Sequence, residues 1–158
     1  MAKRTIVIKV GSSTVTGSDG RIDEDYLAAL ADQVVRVREA GYRVVVVSSG
    51  AIAAGVEALG LARRPGDIPT LQATAAVGQV RLVDAYRELL NARGVMVGQV
   101  LVTRHDIAHR QQYVNACHTL ERLLELGIVP IVNENDTTAV EEIRFGDNDN
   151  LAALVGMM

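Results

Sequence analysis

The sequence predicts an α/β fold in which a mostly parallel sheet carries helices on both faces. Short runs of β-branched residues alternate along the chain with longer stretches of helical periodicity, which is the pattern of successive βαβ units. The run at residues 43–48 is apolar at four consecutive positions, 44–47, as strands are when helices bury both faces of a parallel sheet. The 158 residues suit one domain, and no repeat, linker or low-complexity segment interrupts them.

The predicted strands are the β-branched runs, and the predicted helices lie between them. Strands are expected at residues 5–10, 43–48, 95–102 and 128–132. Helices are expected between Asp23 and Gly41, at residues 51–59, 71–93 and 111–126, and from residue 148 onward. The remaining segments are predicted to be polar loops at residues 11–20 and 62–69 and a hairpin at residues 137–145.

The helix after Asp23 has the clearest signals at its two ends. Asp23 is a good cap, the first turn is acidic, and Arg36 and Arg38 precede Gly41, so the charge order complements the helix dipole. Apolar residues recur three and four positions apart and predict one buried stripe. They are Leu27, Leu30, Ala31, Val34 and Val37.

Composition excludes several classes of function. The net charge is −3 and aromatic residues make up 3% of the chain, which argues against a nucleic-acid partner. The single cysteine, Cys117, forms no internal disulfide and fits a reducing, cytoplasmic setting. No apolar run is long enough for a signal peptide or a membrane span, so no membrane partner is expected.

Polar residues follow three of the predicted strands, at the edge where ligands of open α/β sheets bind. They are Lys9, Gly11 and Ser12 after the first strand, Ser49 and Gly50 after the second, Asn133 and Asp136 after the fourth, and Asp147, Asn148 and Asp149 beyond the predicted hairpin. Asparagine and aspartate are also ordinary turn residues, but this many carboxylates and amides exceed what two turns need.

Lys9 is the most informative of these residues. A lysine in an apolar strand is either exposed on an edge strand or directed at phosphate charge, and the neighbouring Gly11 favours the second interpretation. The glycine-rich segment matches neither a Walker A loop nor a dinucleotide-binding fingerprint, and it also fits an ordinary tight turn. His105 and His109 have the spacing of two zinc ligands but no third, so no metal site is predicted.

Seven stretches resemble the N-terminal part of the glutamate 5-kinase family, within the amino acid kinase superfamily. They are residues 6–16, 44–55, 75–82, 97–106, Tyr113 with Asn115 and Ala116, 129–136 and 145–155. NEND and GDNDNLAAL are the most specific of them. The resemblance implies an amino acid kinase-like fold and the transfer of phosphate from ATP, with Mg²⁺, to the γ-carboxylate of L-glutamate as the first step of proline biosynthesis.

The resemblance also implies roles for the residues at the sheet edge. Lys9, Gly11 and Asp149 match catalytic positions, and Lys9, Gly11 and Ser12 are expected at the phosphates of ATP. The expected glutamate-binding residues are Ser49, Gly50, Asn133, Asp136, Asp147 and Asn148. Proline is expected as a feedback inhibitor, acting through the region around residues 137–147, and a homo-oligomer is expected.

One departure from the family pattern concerns the nucleotide-binding half. The family's domain continues past residue 158, so residues 1–158 are expected to be the glutamate-binding part, truncated before the ATP-binding half and inactive in isolation. The alternatives are a non-catalytic half-domain that binds glutamate or proline or self-associates, and an amino acid kinase with another carboxylate or phosphate substrate.

Overall fold

The computed structural model describes residues 4–17, 19–138 and 148–157. Within them, the strands are β1 (Thr5–Val10), β2 (Arg43–Ser48), β3 (Val97–Val102) and β4 (Val129–Glu134). The helices are α1 (Ser12–Val15), α2 (Glu24–Glu39), α3 (Ala51–Ala58), α4 (Ile68–Asn91), α5 (Arg104–Ala108), α6 (Arg110–Glu125) and α7 (Asn148–Met157). No helix among these residues is both long enough and apolar enough to cross a membrane.

The four strands form one parallel sheet in the order β1-β2-β4-β3. Its register pairs Val10 with Ser48 and Val102 with Glu134, so the carboxyl ends of all four strands meet at one edge. The predicted α/β class with a parallel sheet is confirmed. β1 pairs only with β2 among the described strands, which makes it an edge strand there.

Helices cover both faces of the sheet, because the side chains of the central strands alternate between two cores. Val44 and Val46 of β2 face the core formed with α2 and α4, whereas Val45 and Val47 face the core formed with α6 and α7. The buried residues that α2 and α4 supply to the first core are Leu27, Leu30, Ala31, Val34, Leu82, Tyr86 and Leu90, and those that α6 and α7 supply to the second are Leu120, Leu151 and Val155. The burial of both faces explains why β2 is continuously apolar.

Helices α3 and α4 pack closely because each supplies a glycine to the contact. A Cβ on Gly78 would lie 1.7 Å from the carbonyl oxygen of Ala51, and a Cβ on Gly55 would lie 2.0 Å from that of Thr74. Neither position has room for a side chain unless the backbone moves. The contact holds α4 against the beginning of α3, directly beside the sheet edge.

Several predicted boundaries were wrong: β3 begins at Val97 rather than residue 95, β4 continues through Asn133 to Glu134 rather than ending at residue 132, and α5 was not predicted. The segment predicted as a loop at residues 11–20 contains the helical turn α1, because the carbonyl of Gly11 accepts from Thr14 N and Val15 N and the fully buried Val15 holds the turn on the core. Helix α4 begins at Ile68 rather than residue 71, since Asp67 caps it and Pro69 fits its first turn. Most of the predicted hairpin at residues 137–145 lies outside the described residues.

Candidate functional site

The first feature of the sheet edge is an ion pair that joins β1 to α7. Lys9 Nζ lies 2.8 Å from Asp149 Oδ1, although the two residues are far apart in the sequence. The two side chains are 36% and 71% exposed. An ion pair this open to solvent adds little stability, so its main effect is to orient the lysine ammonium at the edge.

Gly11 leaves space beside that ammonium. A Cβ at this position would lie 3.6 Å from Lys9 Nζ, which is ordinary van der Waals contact, and the φ of −74° is accessible to any residue. Glycine is therefore not required here by the backbone. Its effect is to keep a side chain out of the space next to Lys9 and next to the first turn of α1, where Ser12 lies.

Asn148, the first residue of α7, connects three parts of the edge. Its Nδ2 donates to Ser48 O at 2.7 Å, to Ser49 Oγ at 2.7 Å and to Asn133 Oδ1 at 3.1 Å. The side chain is buried. Because two amide hydrogens face three acceptors, Nδ2 is fully used within the protein, and the Oδ1 of Asn148 is turned away from these acceptors.

Asn133 continues this network toward α4. Its Oδ1 accepts from Glu134 N at 2.9 Å as well as from Asn148, and its Nδ2 donates to Gln79 Oε1 at 2.7 Å. Asn133 is 2% exposed and Gln79 is 8% exposed. Gln79 Nε2 is buried and has no hydrogen-bond partner among the residues that the structure describes.

Ser49 and Gly50 form the turn between β2 and α3. Gly50 has a φ of +102°, in the left-handed region that favours glycine, and this turn brings the chain directly into α3 without a side-chain cap. Ser49 N donates to Val10 O, which ties the turn to the end of β1. Since Ser49 Oγ already accepts from Asn148, its hydroxyl hydrogen is directed elsewhere.

Ser48, the last residue of β2, links this turn to Tyr86 of α4. Its hydroxyl lies 3.0 Å from the hydroxyl of Tyr86, and both side chains are buried. Burial raises the pKa of Tyr86 well above its usual value, with the Ser48 hydrogen bond opposing that rise. The tyrosine is therefore neutral and acts here as a hydrogen-bonding core residue.

Asp136 follows β4 in a half-buried turn. Burial, reinforced by the nearby Glu134 carboxylate, raises the pKa of Asp136 from 3.8 to about 6, and Arg64 opposes the rise. A carboxylate with this pKa is ionised at pH 7 but poorly solvated. It is therefore suited to a cationic group that would replace the missing hydration.

The structure brings most of the predicted residues to one edge. Lys9 contacts Asp149, and Ser49, Asn133 and Asn148 share one hydrogen-bond network. Asp147 lies outside the described residues. The network includes Gln79, which was not predicted from the sequence. A single polar residue inside a long helix does not indicate a functional role. The adjacent Gly78 gives a weak signal, since a glycine within a helical pattern indicates close packing.

His105 lies in α5, and His109 is the residue between α5 and α6. Their rings are stacked with centroids 3.7 Å apart at the start of α6, and both side chains are exposed. In the described ranges, no group of three or more His, Cys, Asp or Glu side chains is placed to hold a metal ion.

Comparison with known proteins identifies similar sequences. Residues 4–158 match the family described as Amino acid kinase family. A glutamate 5-kinase of Myxococcus xanthus is 53% identical over 152 residues, or 96% of this chain and 40% of that protein. One of Bifidobacterium longum subsp. infantis is 54% identical over 154 residues, or 98% and 41%. The chain thus spans about 40% of the length of these relatives.

The fold is similar to that of a solved structure. The crystal structure of UMP kinase from Ureaplasma parvum superposes with a TM-score of 0.54 and 19% identity, covering 83% of this chain and 56% of the other. At this identity the similarity concerns the fold alone. It agrees with the parallel sheet and the two helical layers described above.

Proposed function

The chain belongs to the amino acid kinase family, and from this premise we propose that it forms the glutamate-binding part of an ATP-dependent glutamate 5-kinase. The relatives named glutamate 5-kinase, at 53% and 54% identity, support this choice within the family. The observation that carries the proposal is the shared edge, where Lys9 and Asp149 lie beside the network of Ser49, Asn133 and Asn148.

We propose that Asp136 and Asn148 bind the ammonium group of L-glutamate. Asp136 supplies a poorly solvated negative charge, which pairing with a cation would stabilise. The Nδ2 of Asn148 is already used by Ser48, Ser49 and Asn133, so it is not the group offered to a ligand. The group that Asn148 offers is its Oδ1, an acceptor, which suits the ammonium.

A carboxylate of the substrate would bind at the turn before α3. The hydroxyl hydrogen of Ser49 is available as a donor, and the first N–H groups of α3 have no side-chain cap. Together they offer neutral donors and the positive end of the α3 dipole. Gly50 adopts the left-handed backbone conformation that brings the chain from this turn directly into α3.

We propose that Lys9 stabilises the transferring phosphate. A γ-carboxylate oxygen of glutamate attacks the γ-phosphorus of ATP, the bond from that phosphorus to the bridging oxygen of ADP breaks, and γ-glutamyl phosphate and ADP result. The carboxylate is ionised at pH 7, so no general base is needed, and the main barrier is repulsion between two anions. The ammonium of Lys9, oriented by Asp149, would reduce that repulsion.

The described residues fit the phosphate end of ATP. The ammonium of Lys9, the backbone of Gly11 and the first turn at Ser12 could contact phosphate oxygens, whereas Mg²⁺ would be held largely by the phosphates themselves. In this proposal residues 1–158 are the glutamate-binding part and other residues complete the nucleotide pocket. Cytoplasmic location, homo-oligomerisation and inhibition by proline stay predictions.

A chimera tests the proposed function. This chain replaces the matching segment of the Myxococcus xanthus relative, and acyl phosphate formed from ATP, Mg²⁺ and L-glutamate is trapped with hydroxylamine. We expect glutamyl hydroxamate from the chimera and none from its Lys9→Ala variant. A chimera that folds and binds glutamate without forming product would instead support a non-catalytic half-domain, and product only with another acceptor would indicate a different substrate.

A further inference from the structure

We propose that Gln79 is a positioning residue for the substrate site, acting through Asn133 on Asn148. This inference rests on the proposed glutamate site, because it assigns a new residue to that site. Gln79 lies in α4, next to Gly78, whose missing side chain lets α4 approach Ala51 at the beginning of α3. Its side chain thus lies beneath the edge, between the start of α3 and the end of β4.

The orientation of Asn133 is set by a backbone group. Glu134 N can only donate, so the atom of Asn133 that faces it at 2.9 Å must be the oxygen. The amide of Asn133 therefore donates from its Nδ2 to Gln79 at 2.7 Å, and the atom of Gln79 that accepts this hydrogen bond must be Oε1. Gln79 is thereby the acceptor that completes the orientation of Asn133.

The orientation of the Asn133 amide also determines which atom of Asn148 is free to contact a ligand. The oxygen of Asn133 accepts from Asn148 Nδ2 at 3.1 Å, and this contact adds to the pull of Ser48 and Ser49 on the same nitrogen. If Asn133 rotated, its amino group would face Asn148 Nδ2 and two donors would oppose each other. The acceptor at Gln79 thus keeps Asn148 Oδ1 turned toward the ligand side of the edge.

The unpaired nitrogen of Gln79 indicates that the residue serves this contact rather than stability. Its Nε2 is buried without a partner in the described part of the chain, which is a costly arrangement for an amide. An apolar residue of similar length would remove that cost in the core below the edge. It would also leave Asn133 without its acceptor.

The test compares Gln79→Met, which removes the acceptor, with Gln79→Glu, which keeps an acceptor oxygen in either ionisation state. Binding of L-glutamate to the 158-residue chain is measured by calorimetry, and the side-chain amide signals of Asn133 and Asn148 are followed by NMR without ligand. We expect Gln79→Met to bind about tenfold more weakly and to shift the Asn148 signals, and Gln79→Glu to restore both.

The matched control is Thr74→Val, a buried isosteric change earlier in α4, where the threonine hydroxyl donates to Thr70 O and not to the network of Asn133 and Asn148 among the described residues. It should leave affinity and amide signals unchanged. Wild-type affinity in Gln79→Met overturns the inference, whatever the NMR signals show. A folded Gln79→Glu that does not regain affinity also overturns it, since restoring the acceptor oxygen would then not restore the site.

Failure of the proposed glutamate site and failure of the positioning role of Gln79 give different results. If the wild-type chain does not bind glutamate, the proposed site fails, while unchanged Asn148 signals in Gln79→Met would still refute the positioning role. If Gln79→Met does not fold, hydrogen exchange in the wild-type chain decides: a slowly exchanging Asn133 side-chain proton supports the contact with Gln79, and fast exchange of both protons contradicts it.

Discussion

The carboxylate of Asp136 should destabilise the folded chain at neutral pH, and Asp136→Asn should remove that cost. The folded pKa is about 6 against an ordinary 3.8, so the native state keeps its proton to a higher pH than the unfolded state. The stability of the wild-type chain therefore falls as pH rises from about 4 to about 6 and is then constant. The difference between the two pKa values corresponds to roughly 2–3 kcal/mol, allowing for partial exposure.

Urea unfolding between about pH 4 and about pH 8 measures this effect. We expect Asp136→Asn to be more stable than wild type by up to roughly 2–3 kcal/mol above pH 6, with the gain disappearing near pH 4. Asp67→Ala is the control, and its effect on stability should have the opposite sign. Hydrogen bonds with Thr70 lower the pKa of Asp67, so the ionised carboxylate stabilises the folded state. Replacing Asp67 should therefore destabilise the chain most at pH values above the pKa of the unfolded state. An Asp136→Asn variant with no gain at pH 7, or with the same gain at pH 4, would refute this reasoning.

Three further predictions concern glycines and the lysine. Gly78→Ala should destabilise by about 3 kcal/mol or prevent folding, because its Cβ would lie 1.7 Å from a backbone oxygen, whereas Gly66→Ala, with nothing within 4 Å, should be close to neutral in the same urea assay. In the chimera, Lys9→Ala should abolish hydroxamate formation while calorimetry shows nearly unchanged glutamate affinity; equal losses in both would remove Lys9 from the phosphate role. Gly11→Ala should keep wild-type stability yet reduce turnover, and wild-type turnover would mean that the space beside Lys9 is not used.

Much of the fold could be predicted because each element depends on local patterns. The apolar run at residues 43–48 and the stripe of α2 are set by burial on the faces of a sheet and a helix, which the periodicity of the sequence records directly. The helical turn α1 was not predicted because its four residues are polar or β-branched. It is stabilised by the burial of Val15, which depends on tertiary packing rather than on the local sequence.

The site could be predicted as a set of residues but not as a network. Strand ends place Lys9, Ser49 and Asn133 at one edge by topology alone. The atom that Asn148 would offer to the proposed ligand depends on three contacts from distant segments, and the proposed role of Gln79 depends on the close helix packing that Gly78 makes possible. Such contacts leave no periodic trace in the sequence.

The most direct test of the central claim is a calorimetric titration of L-glutamate into the 158-residue chain and its Asp136→Asn variant at about pH 7.5. We expect saturable binding of one glutamate to the wild-type chain and binding at least about tenfold weaker in the variant, although the variant should be the more stable protein. Equal affinity in the two proteins, or no binding to a folded wild-type chain, would contradict the glutamate site proposed at this sheet edge.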